Sequence, residues 1–165
     1  MDLTEKQLEE LRLGALTAID GLWFLAAERK LGFEAALELD LEVWKDYGVV
    51  LLRRLARDLG LELNPADPPD LATINDILAT LCRIDGTGCS WEMMDEDTSI
   101  FRVHHCSWWE NLRRAGREKT VPCEMIDNTI FIHWLQAVDP SIRMEITRSL
   151  PRGDDHCAWT LTRSV

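Results

Sequence analysis

Basic residues are scarce in this 165-residue chain: 18 Lys and Arg stand against 29 Asp and Glu, a net charge of −11. An acidic surface repels phosphate backbones, so nucleic acid is not an expected partner. The basic groups that are present, Arg53-Arg54 with Arg57 and Arg113-Arg114 with Arg117 and Lys119, fall at ordinary spacing in segments that read as helices. They read as solvated faces. Long apolar runs are missing too. The longest, Gly21 to Ala27, is far short of the ~20 residues that span a bilayer. The start, MDLTEKQLEELR, is acidic and amphipathic and holds no signal-peptide core. A membrane partner is not expected, and a cytoplasmic location is.

Other absences narrow the chemistry. There is no CxxC pair, which removes the zinc-ribbon and thioredoxin patterns, and no GxGxxG, GxxxxGK[ST], HExxH or GxSxG. The five cysteines, at 82, 89, 106, 123 and 157, are an odd number that fits a closed disulfide framework badly. In a reducing compartment they are buried thiols, metal ligands or catalytic groups. Tyr occurs once, yet there are seven Trp. Large indoles fill wide cores and line cavities.

The length fits one domain, residues 1–165, with a helical part over 1–85 and a sheet-containing part over 86–165. Thr4 with Gln7 three residues on makes a capping box, and Leu8, Leu11, Ala15, Ile19, Leu22 and Ala26 follow at helical spacing up to about Gly32. A short helix over Glu34–Leu39 is expected next. A third, capped by Asp40, passes Trp44 and Leu52 to about Gly60. Gly48, inside it, marks a close packing contact. The run NPADPPD cannot continue a helix, and Asp70 caps a fourth from Leu71 to about Arg83. From Cys89 the pattern becomes two strands around a turn near Asp95–Ser99. A charged stretch over Glu110–Thr120 follows, then a helix from Pro122 to Val138. Strands at Arg143–Arg148 and His156–Arg163 end the chain. Segregated helices and strands predict an α+β fold: a helical N-terminal half packed on an antiparallel β-β-α-β-β C-terminal half.

All four His and four of the five Cys lie after residue 88. Thiolate and imidazole are ligands for zinc or iron. The candidates are Cys106, Cys123 and Cys157 with His104, His105 and His156. The spacings from Cys106, of 17 and then 34 residues, carry little specificity. Small buried thiols would give the same pattern. Strand alternation puts His104 and Cys106 on one face of the second strand, and Cys157 with Trp159 and Leu161 on the core face of the last. Bringing Cys106 to Cys157 then requires a bulge or a sheet covered on both sides. On the first helix Asp20, Trp23, Phe24, Ala27 and Glu28 share a side. That side is either a solvated rim or the wall of a cavity closed by the sheet, in which Asp20 and Glu28 shuttle protons. Trp23, Trp44 and Trp134 would line the pocket.

The run IDGLWFLAAERKLGFEAALELDLEVW, with VHHCSWWENLRRAG, VPCEMIDNTIFIHWLQAVDPSIR and HCAWTL, resembles a bacterial and archaeal family of unknown function. That family resembles L-2-amino-thiazoline-4-carboxylic acid hydrolase and, more distantly, 4-vinyl reductase-type small-molecule-binding domains. The resemblance runs from about Ala18 to Leu161. It implies recurring cysteines at Cys106, Cys123 and Cys157 and a helical signature at Asp20, Gly21, Trp23, Phe24, Glu28, Asp40 and Trp44, and it leaves Cys82 and Cys89 outside.

The leading expectation is a cytoplasmic small-molecule protein with a Cys/His metal or thiol site. Its chemistry, if it is an enzyme, is metal-assisted hydrolysis of a small heterocyclic or sulfur-containing compound. The alternative is a non-catalytic module that binds a small ligand or senses metal. A structural helical homodimer with inert core cysteines is the third.

Overall fold

The computed structural model describes residues 2–164. The chain is α+β and divides into two compact units, Met1–Val43 and Trp44–Val165.

The first unit begins with α1 (Glu5–Leu31), and the capping box is formed: Thr4 Oγ1 accepts from the Gln7 N–H and the Gln7 side chain accepts from the Thr4 N–H. Gly32, at φ +89°, ends the helix, a conformation that other residues adopt only with strain. The expected apolar face does not stand out on α1: no residue of the helix is buried, and Leu11, Ile19 and Leu22 are mostly exposed. The second helix, α2 (Phe33–Leu59), corrects the expectation of a break at Asp40. Nothing between Glu34 and Trp44 is a breaker, so good helix formers carry one helix through, and Asp40 sits in its interior rather than at a cap. Phe33 meets Phe24 edge-on, with centroids 5.9 Å apart.

In the second unit α2 ends at Gly60, where the Leu61 N–H reaches back to the Ala56 carbonyl at 2.8 Å. Asp70 caps α3 (Leu71–Ile84) by accepting the Thr73 N–H at 2.7 Å. Seven α3 residues are buried, five of them Leu or Ile, each side chain contributing about 1.5–3 kcal/mol relative to exposure. The strands β1 (Gly88–Met93), β2 (Thr98–His105), β3 (Ile142–Arg148) and β4 (Cys157–Arg163) form one antiparallel sheet in the order β1-β2-β4-β3. Between the two hairpins run two helices, α4 (Ser107–Arg114) and α5 (Cys123–Val138), of which the first was expected as a helical start to the charged stretch from Glu110 and the second as the crossover helix. The helix α4 starts ahead of the expected Glu110 because a thiol caps it: Cys106 Sγ accepts the Trp109 N–H at 3.4 Å, and cysteine is not among the usual capping residues.

The inner face of the sheet carries Ser99, Phe101 and Val103 of β2 opposite Leu161, Trp159 and Cys157 of β4. Phe101 stacks on Trp159 at 5.5 Å, and Phe131 of α5 covers Trp159 at 4.4 Å. Asn75 of α3 donates to Ser99 Oγ at 2.9 Å and to the Leu71 carbonyl at 2.8 Å, so α3 is keyed to β2 by a buried polar pair. Gly48 is the close contact its position suggests: a Cβ there would lie 1.8 Å from the Trp134 indole. The Trp134 Nε1 donates to the Trp44 carbonyl at 3.0 Å. Among the described residues no helix is long and apolar enough to cross a membrane.

Candidate functional site

Three cysteines arrive at one place from three element ends. Cys106 is the N-cap of α4, Cys123 opens α5, and Cys157 opens β4. The apparent conflict of strand faces is resolved because β2 stops at His105, so Cys106 has already left the strand and obeys no alternation. One helical turn after Cys123 stands Asp127, on the same side of α5.

The carboxylate of Asp127 acts on Cys106, Cys123 and Cys157 alike, and the thiols act on one another. Burial is the largest influence on all three, and like charge adds to it. Cys106 is pushed up to about 12, even though backbone N–H groups of Trp109 and Trp108 favour its thiolate. Cys157, which accepts the Leu150 N–H at 3.4 Å, is pushed up to about 11. Cys123 is raised furthest. Asp127 itself is raised to about 7, first by burial and then by Glu124. It is crowded on every side yet retains some contact with solvent. The leading influences on these four groups are burial, neighbouring carboxylates and thiols, and backbone N–H groups. The nearby Glu124 is different: Arg152 donates to it from Nε at 2.8 Å, Ser149 donates too, and its carboxyl is held below the ordinary range.

At neutral pH the cluster is thus three protonated thiols around a half-ionised acid. The donor types suit a thiophilic cation. Their spacing is not yet that of a metal site, since among the described residues no group of three or more His, Cys, Asp or Glu is arranged to hold an ion.

The histidines expected to join the cysteines lie elsewhere. His104 projects from the outer face of β2, where its Nε2 meets Ser90 Oγ at 2.7 Å. His156 packs against it with ring centroids 5.8 Å apart and pairs with Asp155 at 2.6 Å. His105 is exposed and faces Glu110 at 3.2 Å. The period-two rule that sends Cys157 inward with Trp159 sends His104 outward with Arg102.

Two of the three expected tryptophans come together. Trp134 is 2% exposed, fills the core against Gly48 and donates to the Trp44 carbonyl, and Trp44 meets Trp108 edge-on at 5.0 Å. Trp23, 41% exposed, belongs to the helical unit. So do Asp20 and Glu28, both half-buried on α1. Asp20 has a counterpart that periodicity alone did not supply: its charge adds to burial in raising Asp40 to about 7, and Asp40 Oδ1 is buried with no hydrogen-bond partner.

Asp127 was missed in the sequence. Its signal is the spacing Cys123-x-x-x-Asp127, which puts thiol and carboxylate on one helix face once α5 is known to start at Cys123.

No curated protein is significantly similar. Among solved structures, the fold is similar to that of a trafficking protein particle complex subunit 3 from Naegleria fowleri covalently bound to palmitic acid. The TM-score is 0.61 at 14% identity, over 94% of this chain and 97% of that one. This neighbour is a trafficking subunit rather than the thiazoline hydrolase or vinyl reductase-type domain that the motifs resemble, and at such identity it shows the fold alone. The sequence pattern itself is matched over residues 7–163 by the "Family of unknown function (DUF6125)". The chain belongs to that family.

Proposed function

We propose that this chain is a small-molecule protein of the binding or sensing kind, whose working centre is Cys106, Cys123, Cys157 and Asp127 and whose ligand is a thiophilic metal ion, zinc or iron. The observation that supports this reading is the gathering of three thiols and a carboxylate from three elements, where burial and like charge suppress the thiolates. Potential anions crowded together repel one another; a bound cation would offset that repulsion. His104, His105 and His156 are left out of the ligand set.

Metal-assisted hydrolysis, with Asp20 and Glu28 of α1 as the expected proton carriers, is the second form of the reading. The apolar void between Leu52, Ile74, Leu78, Trp134 and Val138 measures about 10 Å³, space for about one water molecule.

The test is elemental analysis of protein purified without added metal or chelator, followed by titration with Zn²⁺ and Fe²⁺ in weak buffer. Binding should approach one ion per chain and release protons, because the thiols enter as S–H and leave as thiolate. A protein that carries no metal, takes up neither ion and releases no protons would overturn the proposal.

A further inference from the structure

The remaining two cysteines form a second thiol centre at the corner between α3 and β1. The helix α3 ends by a turn in which Gly86, at φ +72°, lets the Thr87 N–H reach the Cys82 carbonyl at 2.8 Å. The chain reverses there and enters β1. Cys89 is therefore laid back along the last turn of α3, and its Sγ donates to the Ala79 carbonyl at 3.7 Å. Its thiol and that of Cys82 are hydrogen-bonded to each other, and neither is in a disulfide.

The two are unequal. Cys82 is 3% exposed, in the core, whereas Cys89 is half-buried. The shared hydrogen bond and the nearby Arg83 lower the Cys89 thiol, while the same bond, burial and the charges of Asp85 and Asp127 raise Cys82. Cys89 also occupies the part of the sheet best able to shift. It lies on β1, an edge strand, beside the register irregularity between Gly88 and Cys89. Bulged edges tolerate local movement without disturbing the inner ladder.

The geometry points to Cys82 and Cys89 as a reversible dithiol–disulfide pair, with Cys89 the thiol that attacks hydrogen peroxide and Cys82 the thiol that resolves the product. In the first step the Cys89 sulfur attacks one peroxide oxygen. An S–O bond forms, the O–O bond breaks, and hydroxide leaves with the thiol proton as water. In the second, the Cys82 sulfur attacks the Cys89 sulfur. The S–S bond forms, the S–O bond breaks, and the hydroxyl departs with the Cys82 proton as a second water. The pair loses two electrons and the peroxide gains them; a dithiol reductant reverses the change. An accessible, acidified thiol with a resolving partner behind it is the arrangement this chemistry requires. The inference stands apart from the proposed metal centre, which uses the other three cysteines.

The experiment treats the full reduced protein with equimolar hydrogen peroxide, blocks remaining thiols with N-ethylmaleimide under denaturing conditions, and maps the products by peptide mass spectrometry. The expected product is a Cys82–Cys89 disulfide, formed about ten-fold or more faster than any oxidation at Cys106, Cys123 or Cys157 and erased by dithiothreitol. Cys82→Ser should leave Cys89 as a sulfenic acid that dimedone traps. Oxidation first at any of the other three cysteines, or a disulfide joining a different pair, would overturn the inference. So would Cys82 and Cys89 both remaining free. The wild-type map decides the matter even if the variant fails to fold.

Discussion

The two thiol centres belong to one compact unit and share one neighbour, yet they are built to opposite ends. At the α3–β1 corner, Cys89 has a donor thiol and Arg83 beside it, and its thiolate is favoured. At the α4–α5–β4 corner, Cys106, Cys123 and Cys157 have burial and a carboxylate, and their thiolates are suppressed. Asp127 touches both: it also raises Cys82. Position on a helix end does not decide a thiol's chemistry. Cys106 caps α4 and accepts backbone N–H groups, which ordinarily acidifies a cysteine, but desolvation outweighs them. The sign of the surrounding charge and the depth of burial settle which thiolate is favoured and which is suppressed.

The largest effect should separate the two sets by metal content. Cys106→Ser, Cys123→Ser and Cys157→Ser should each lose most of the bound zinc or iron, while Cys82→Ser and Cys89→Ser retain it. Elemental analysis of the five variants checks this, and equal retention in all five would erase the distinction. Next comes Asp127→Asn. Asp127 is raised from 3.8 to about 7, so across that interval the unfolded chain gives up its proton before the folded one does. Folded stability contributed by this group is therefore present below pH 4 and lost as pH rises to 7. The loss is at most ~4 kcal/mol, and smaller because Asp127 keeps some contact with water. The Asn variant, metal-free, should melt higher than wild type at pH 8 and equally at pH 3.5. Asp40 and Asp85, raised to about 7 and about 6, bend the wild-type curve the same way and remain in the variant as an internal reference.

Alkylation gives a third, intermediate contrast. Iodoacetamide at pH 7.5 should label Cys89 roughly ten-fold or more faster than Cys106 or Cys123 in metal-free protein, because thiolate fraction falls about ten-fold per pKa unit. Comparable rates would mean the two corners do not differ. The smallest effect belongs to Glu124→Gln. It removes a like charge from beside Asp127, and should lower the pH midpoint of the Asp127-linked stability change by a few tenths of a unit. It also deletes a partly exposed ion pair with Arg152 that is worth ~0–1 kcal/mol.

Much of this was legible in the sequence, and the rest was hidden for identifiable reasons. Strong local signals held: the Thr4–Gln7 box, the Asp70 cap, Gly48 and the proline stop before α3 all act as their chemistry requires. The convergence of Cys106, Cys123 and Cys157 was suggested by their residue types, but strand alternation argued against it until the end of β2 at His105 was known. The histidines stand apart from the cysteines for the converse reason. Adjacency in the chain, as in His156-Cys157, says nothing about a shared site when neighbouring side chains in extended backbone point to opposite faces. Asp127 and the Cys82–Cys89 contact depend on where α5 starts and how α3 turns back into β1, which no residue announces alone. The spacing of Leu8, Leu11, Ala15 and Ile19 located α1 but overstated its apolar face, because polar and apolar residues are spread around the helix and none is buried.

The bare backbone at Gly48 has a consequence for the order in which the chain assembles. The indole that fills it arrives from Trp134, and the hydrogen bond that fixes the indole spans 90 residues of sequence. During synthesis the later turns of α2 must wait, with that groove empty, through the emergence of α3, the first hairpin and α4. Contacts so distant are formed late and favour slow folding. Gly48→Ala would put a methyl where the indole must dock. It should lower stability by ~1–3 kcal/mol or more. Stopped-flow Trp fluorescence should show refolding slowed little and unfolding speeded strongly, the pattern of an interaction made after the main barrier is crossed.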